Sequence, residues 1–130
     1  MKTLSLVLIL VVSSGALAGD SFGDRVKRAK LVEASADGRA YQQLMWEEVG
    51  EHTATVMQQC FPKGTKADTA SFVLVANVLP SHALAGVEVQ PETRMSRCFA
   101  DAFSRASFPQ PPPSFGEVGI PIVIEIRITP

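Results

Sequence analysis

The sequence has little of what marks a common enzyme. Neither Ser-x-x-Lys nor His-Glu-x-x-His occurs in its 130 residues, and the two histidines, His52 and His82, lie far apart in the chain. These motifs bring a nucleophile and its base, or two zinc ligands, together on one turn of a helix. Since both are lacking, we predict no catalytic residue, no metal site and no cofactor, and therefore a protein that is not an enzyme.

An excess of one charge is also lacking. The chain has 12 Lys and Arg against 13 Asp and Glu, a formal net charge of −1. A nearly neutral surface provides no bulk electrostatic attraction to nucleic acid. We therefore expect the partner to be a protein rather than DNA or RNA.

No apolar run is long enough for a membrane span, which needs about 20 residues. The longest candidate, Leu4–Val12, is roughly half that length, with Lys2 before it and Ala16-Leu17-Ala18 after it. A positive charge, a short apolar stretch and an A-x-A site are typical of a cleaved secretory signal peptide. We expect residues 1–18 to be removed, leaving a periplasmic protein with no stable membrane span.

Cysteine is scarce as well, with only Cys60 and Cys98 in the chain. The C-x-x-C motif of redox proteins and the four ligands of a structural zinc site are both lacking. In an exported chain, a pair of cysteines most simply forms one disulfide, and a loop of this length stabilises the fold by about 4 kcal/mol. We expect a structural Cys60–Cys98 bridge, with a redox centre or half of a metal site as the alternatives.

Apolar residues recur at helical spacing in two segments and at strand spacing in three. Alternation in the last strand predicts one buried face and one face in water. The buried face is expected to carry Ile122, Ile124, Ile126 and Ile128, and the face in water Val123, Glu125 and Arg127. The short polar link between the first two strands predicts a hairpin. The predicted helices are Arg39–Gln59 and Pro91–Ser107, and the predicted strands are Ser71–Leu79, Leu84–Gln90 and Ile120–Thr129.

A short basic helix, Arg25–Ala34, precedes this pattern, and Asp37-Gly38 is expected to end it. We therefore assign residues 19–38 to an N-terminal segment and residues 39–130 to one small domain. The predicted fold class is α+β, with a three-stranded antiparallel sheet, two helices on one face of it and one disulfide.

The order helix, hairpin, helix, strand resembles the carboxy-terminal domain of the TonB family, in particular its cysteine-bearing modules in exported proteins. The resemblance covers roughly residues 53–128, and its most specific parts are two cysteines in helices and a helix that exits through Phe-Pro-Gln-Pro into an apolar strand. The segments that carry it are Cys60-Phe61-Pro62, Gly64, Ser71–Val78, Gly86–Val89, Cys98 with Ala102 and Phe103, and Phe108–Pro111. It implies binding through a sheet edge. Without a retained membrane anchor, the protein would be a free periplasmic copy of that fold rather than an energy transducer.

The final strand, Ile120–Thr129, is the candidate binding element. An edge strand exposes unpaired N–H and C=O groups that an extended segment of another protein can complete. The alternative is that this strand lies inside the sheet. We expect a periplasmic protein-binding module of TonB-like character, with another envelope protein as its partner. The residues expected to contact that partner are Ile122, Ile124, Glu125, Ile126 and Arg127.

Two other functions fit the same sequence. A periplasmic inhibitor or immunity protein, directed against a secreted toxin or a cell-wall hydrolase, would insert a rigid loop such as Pro80–Ala83 or Pro109–Ser114. A small hydrolase would need paired carboxylates in a cleft, for which Glu47, Glu48 and Glu51 are the candidates. Consecutive acids on a helix more often form a solvated face, so the hydrolase is the weakest of the three hypotheses.

Overall fold

The computed structural model describes residues 20–61 and 70–127. Its helices are α1 (Phe22–Ala34), α2 (Ala36–Cys60) and α3 (Arg94–Phe103), its strands are β1 (Phe72–Val78), β2 (Leu84–Gln90) and β3 (Ile120–Ile126), and a 3₁₀ turn covers Pro113–Phe115. The expected signal peptide lies outside the described residues, as do Ile128 and Thr129 of the predicted last strand. The predicted strand was too long at Arg127, because β3 ends at Ile126. None of the described helices is long and apolar enough to cross a membrane. The fold class is α+β, as predicted.

Ser35 separates α1 from α2. Its hydroxyl donates to the carbonyl of Val32 at 2.6 Å and accepts from the N–H of Gly38 at 3.1 Å, so it closes one helix and caps the next. The first helix ends at Ala34, as predicted, but Ser35 ends it and not Asp37-Gly38. Asp37 lies in the first turn of α2, where an acid is favourable, and a Cβ on Gly38 would overlap the carbonyl oxygen of Val32. Glycine here permits the close approach of the two helices instead of ending one.

β1 is the central strand of the sheet, and the order across it is β2-β1-β3. Both neighbours run antiparallel to β1. The register between β1 and β3 is unbroken over all seven residues of β3. The register between β1 and β2 shifts between Val75 and Asn77, which marks a β-bulge. Within the described residues, β3 is therefore the regular edge of the sheet and β2 the irregular one.

The main core lies between the sheet and helices α2 and α3. Four rings form a chain through it, Phe72 to Phe99 to Phe103 to Phe108, with centroids 5.5, 5.2 and 5.2 Å apart. This chain joins β1 to α3 and to the proline-rich link that follows α3. The other large buried side chains of the core are Met45, Val49, Val56, Leu74, Val78, Ile120 and Ile122.

The opposite face of the sheet carries α1. Ala29 packs against Val75 and Val123 in a second, smaller apolar cluster. The prediction that the Val123 face lies in water was therefore wrong over most of its length, since Val123 is only 7% exposed. The cover was not apparent from the sequence because α1 is mostly polar. Toward the end of that face, Glu125 is exposed.

A disulfide joins Cys60, the last residue of α2, to Cys98 in α3, as predicted, with the two Cα atoms 5.7 Å apart. α3 itself begins at Arg94, three residues later than expected. The reason is a capping box: the Thr93 hydroxyl accepts from the N–H of Ser96 at 3.0 Å, and the Ser96 hydroxyl accepts from the N–H of Thr93 at 2.8 Å. These reciprocal bonds fix the first turn of α3.

Candidate functional site

The outer edge of β3 is the candidate binding element. Within the described residues β3 pairs with β1 alone, so the backbone groups on its other side have no partner strand. β2, at the other edge of the sheet, is less suited to pairing with a strand of another protein. Its bulge coincides with Gly86 at a φ of 61°, and Arg25 of α1 reaches over it, binding Glu88 at 2.7 Å and lying against Gly86. Bulges and covering charges are the usual means of protecting an edge.

Pro121 identifies which backbone groups of β3 face outward. Proline has no N–H, and within a sheet it takes positions whose N–H side points away from the neighbouring strand. The carbonyl oxygen of Val78 lies against Gly119, the residue before β3, which is compatible with this alternation. We infer that the N–H and C=O groups of Val123 and Glu125 face the open edge, while the isoleucines between and beside them bind β1.

The open edge lies in a groove of about 550 Å³ between α1 and α2. Because β3 forms the floor of the groove and one helix flanks each side, a fourth strand placed there would contact both helices. The lining residues are Lys30, Glu33 and Ala34 from α1, Gln42 and Trp46 from α2, and Val123, Ile124, Glu125 and Ile126 from β3.

The α1 wall of the groove is charged. Lys30 Nζ lies 2.7 Å from Glu125 Oε1, and this hydrogen bond, with the positive charge of Lys30, holds the pKa of Glu125 below its ordinary value. Both side chains are about half exposed, so the ion pair adds little to stability. It does fix an ionised carboxylate beside the outward backbone groups of β3.

The α2 wall of the groove consists of Gln42 and Trp46, and Trp46 provides its apolar surface. Trp46 is 39% exposed, and it lines the groove together with Ile124 and Ile126. Exposed aromatic residues beside a cleft are enriched at protein interfaces. The groove thus offers a charged side and an aromatic side to an extended segment.

The five residues predicted to contact a partner fall into two groups. Ile122 and Ile124 are 1% and 4% exposed and point into the main core, so their side chains do not face a partner and β3 offers only backbone groups there. Ile126 is half-buried, and Glu125 and Arg127 are exposed. The side chains available to a partner are therefore concentrated at the end of β3.

Two groove residues were missed at the sequence level. Neither Lys30 nor Trp46 is among the residues expected from the sequence to contact a partner. Both lie on helices far in sequence from β3, so no local pattern connects them to it. The corner at Ser35 brings them to opposite sides of the same edge.

The histidines have structural partners. His52 Nε2 lies 2.9 Å from the carbonyl oxygen of Ala102 and ties α2 to α3, and His82 Nδ1 lies 2.8 Å from that of Phe108. In residues 20–61 and 70–127, no group of three His, Cys, Asp or Glu is arranged to hold a metal ion. Each histidine ring is therefore within hydrogen-bond distance of a backbone carbonyl in another segment of the chain.

One motif passed over at the sequence level is Gly19–Gly23, which reads Gly-x-Ser-x-Gly. In hydrolases this motif places a serine on a sharp turn between a strand and a helix, within reach of a histidine. Here the Ser21 hydroxyl accepts from the N–H of Asp24 at 3.1 Å and caps α1, and residues 20 and 21 are not part of a strand. The motif is explained as a helix cap.

Comparison with known proteins gives no relative of this chain: no protein-family model, no curated protein and no solved structure matches it.

Proposed function

We propose that this protein is a non-enzymatic periplasmic binding module that docks an extended segment of a partner protein as a fourth strand on β3. The observation that supports this most is the coincidence of an unpaired, regular strand edge with a groove that a helix flanks on each side. A docked strand would gain main-chain hydrogen bonds from the edge and side-chain contacts from the walls. The disulfide is compatible with an oxidising compartment such as the periplasm.

The groove walls define what such a segment would carry. Side chains alternate across a strand, so residues of the docked segment would point in turn toward Trp46 and toward the Lys30–Glu125 pair. An apolar or aromatic residue fits the first position and a polar or charged residue the second. We propose a partner segment with this alternation, and we propose that the TonB-like order of α2, β1, β2, α3 and β3 extends to a TonB-like mode of docking.

The test is a pair of variants at one position. Glu125→Pro removes an outward N–H without removing a bond to β1, whereas Glu125→Ala removes the carboxylate and keeps the N–H. The probe is a 12-residue peptide selected by phage display against the mature, oxidised protein. We expect Glu125→Pro to weaken peptide binding about 30-fold, because a main-chain bond is lost and the proline ring blocks the edge, and Glu125→Ala to weaken it about threefold at most.

The location of binding is checked by amide hydrogen exchange with and without the peptide. Docking on β3 predicts new protection at the amides of Val123 and, in the wild type, Glu125. Thermal melting verifies that Glu125→Pro is folded. A folded proline variant that binds the peptide as tightly as the wild type would refute docking on β3.

A second candidate function is supported by two loops at one end of the molecule. The carbonyl of His82 accepts from the N–H of Phe108 at 3.1 Å, and the Tyr41 hydroxyl donates to the carbonyl of Pro109 at 2.8 Å. The turn after β1 and the proline-rich link are thereby braced side by side, which is the rigidity that an inhibitor or immunity protein needs. If these loops hold the partner, the double variant Ser81→Arg/Gln110→Arg should lose partner binding and Glu125→Pro should keep it. Docking on β3 predicts the opposite result for both variants.

A further inference from the structure

The groove beside β3 carries more negative than positive charge. Its charged lining residues are Lys30, Glu33 and Glu125, two carboxylates against one ammonium group. Lys30 binds Glu125 at 2.7 Å, whereas the exposed Glu33 forms no ion pair within the described residues. The positive charge of Arg127 also acts on Glu125, but Arg127 does not line the groove. Glu33 is therefore the groove carboxylate that a cation of another molecule can bind.

The position of Glu33 in α1 adds to this negative charge. Glu33 and Ala34 are the last two residues of α1 and both line the groove, so the C-terminal end of this helix lies beside it. The C-terminal end of a helix has a partial negative charge that favours cations, and the last turn of α1 contains no basic residue. The positive end of α2 begins at the same corner, but Asp37 lies in its first turn. The α1 side of the groove is thus suited to a cation.

A strand docked on β3 would direct alternate side chains toward this charge. The two helices pack on opposite faces of the sheet, α1 on one and α2 on the other. Since successive side chains of a strand point to opposite faces, every second residue of a docked strand would point toward α1. Residues on the α1 side meet the wall that carries Glu33, and residues on the α2 side meet Trp46.

We propose that the partner segment is basic on its α1 side, with lysine or arginine at alternate positions there and apolar residues on the Trp46 side. This inference rests on the proposed docking on β3 and adds the sign of the charge that the partner carries. Charge complementarity of this kind selects among partners and speeds their association more than it adds affinity. An acidic segment of the same shape would meet like charges at Glu33 and Glu125 and is disfavoured.

The test uses three 12-residue peptides of one alternating design. All three have valine at every second position, and the positions between carry lysine, threonine or glutamate. Trp46 is the only tryptophan of the chain and lines the groove, so its fluorescence reports docking on the mature, oxidised protein. We expect the lysine peptide to bind about threefold more tightly than the threonine peptide and about tenfold more tightly than the glutamate peptide, because exposed ion pairs contribute modestly.

Charge reversal at one position assigns the preference to the groove. Glu33→Lys places a cation in the last turn of a helix, where it is favourable, so this variant is expected to fold. It should reverse the order, so that the glutamate peptide binds more tightly than the lysine peptide. Glu92→Lys is the matched control, because it changes the net charge equally but lies between β2 and α3, at the other edge of the sheet. It should keep the wild-type order.

Failure of this inference is distinguishable from failure of docking. Suppose that the peptides bind wild type and lose binding in Glu125→Pro, but bind equally whatever their charge. That result would overturn the basic partner and leave docking on β3 in place. So would an order that Glu33→Lys does not change, or that Glu92→Lys changes to the same extent. If none of the three peptides binds, or if binding survives Glu125→Pro, docking on β3 is refuted and the basic partner with it.

Discussion

Removal of the disulfide is the perturbation whose magnitude follows most directly from the structure. The bridge closes a loop with a sequence separation of 38 residues between Cys60 and Cys98. In the chain-entropy model, a loop of this length restricts the unfolded chain by about 13 cal/mol/K, or about 4 kcal/mol at 25 °C. The double variant Cys60→Ala/Cys98→Ala is therefore expected to lose about 4 kcal/mol of unfolding free energy.

The fold is expected to survive this loss. Small domains are stable by about 5 to 15 kcal/mol, and the aromatic chain from Phe72 to Phe108 still joins β1, α3 and the proline-rich link. The melting temperature is expected to fall by roughly 15 °C, since 1 kcal/mol corresponds to about 4 °C in a domain of this size. The proposed binding at the β3 edge should persist below that temperature.

Calorimetry and urea unfolding followed by circular dichroism measure the effect. Wild type reduced with dithiothreitol is the matched control, and its stability should agree with that of the double variant within about 1 kcal/mol. A loss of less than about 1 kcal/mol in both samples would show that the loop-closure reasoning does not apply to this chain.

Two further predictions concern single contacts. Tyr41→Phe removes the hydroxyl that donates to the buried carbonyl of Pro109 at 2.8 Å. In urea titrations the unfolding free energy is expected to fall by about 1 to 2 kcal/mol. No measurable change would mean that water replaces the hydroxyl. Lys30→Ala removes the hydrogen bond that lowers the Glu125 pKa, so the NMR titration midpoint of that carboxyl should rise toward its ordinary value. Because the folded-state pKa is lowered, the ion pair stabilises the fold above the ordinary Glu pKa and its contribution is lost as pH falls through the lowered one. An unchanged midpoint in Lys30→Ala would contradict the Lys30–Glu125 contact.

The sequence was informative wherever local chemistry decides the structure. The strands over Leu84–Gln90 and Ile120–Ile126 and the pairing of the two cysteines follow from alternation, turn residues and cysteine number. The strands depend on residues close in sequence. The disulfide was predictable because each cysteine has only one possible partner. The start of α3 was misplaced because Pro91 is also a permitted first helical residue, and the Thr93–Ser96 capping box decided between the two starts.

The site was only partly predictable because it is assembled from distant segments. The isoleucine alternation located β3, but it did not reveal that α1 covers the Val123 face, since a mostly polar helix makes that contact through only Phe22, Val26 and Ala29. Similarly, Trp46 joins the groove only because the corner at Ser35 carries the chain from one face of the sheet to the other. Long-range placement of this kind leaves no periodic trace in the sequence.

The most direct test of the open edge is amide hydrogen exchange along β3 in the free protein, at the lowest concentration that NMR allows. An unpaired edge with the inferred alternation predicts rapid exchange at Val123 and Glu125 and slow exchange at Ile122 and Ile124, whose N–H groups bind β1. Equal and strong protection at all four amides would contradict it, because it would mean that both sides of β3 are already hydrogen-bonded.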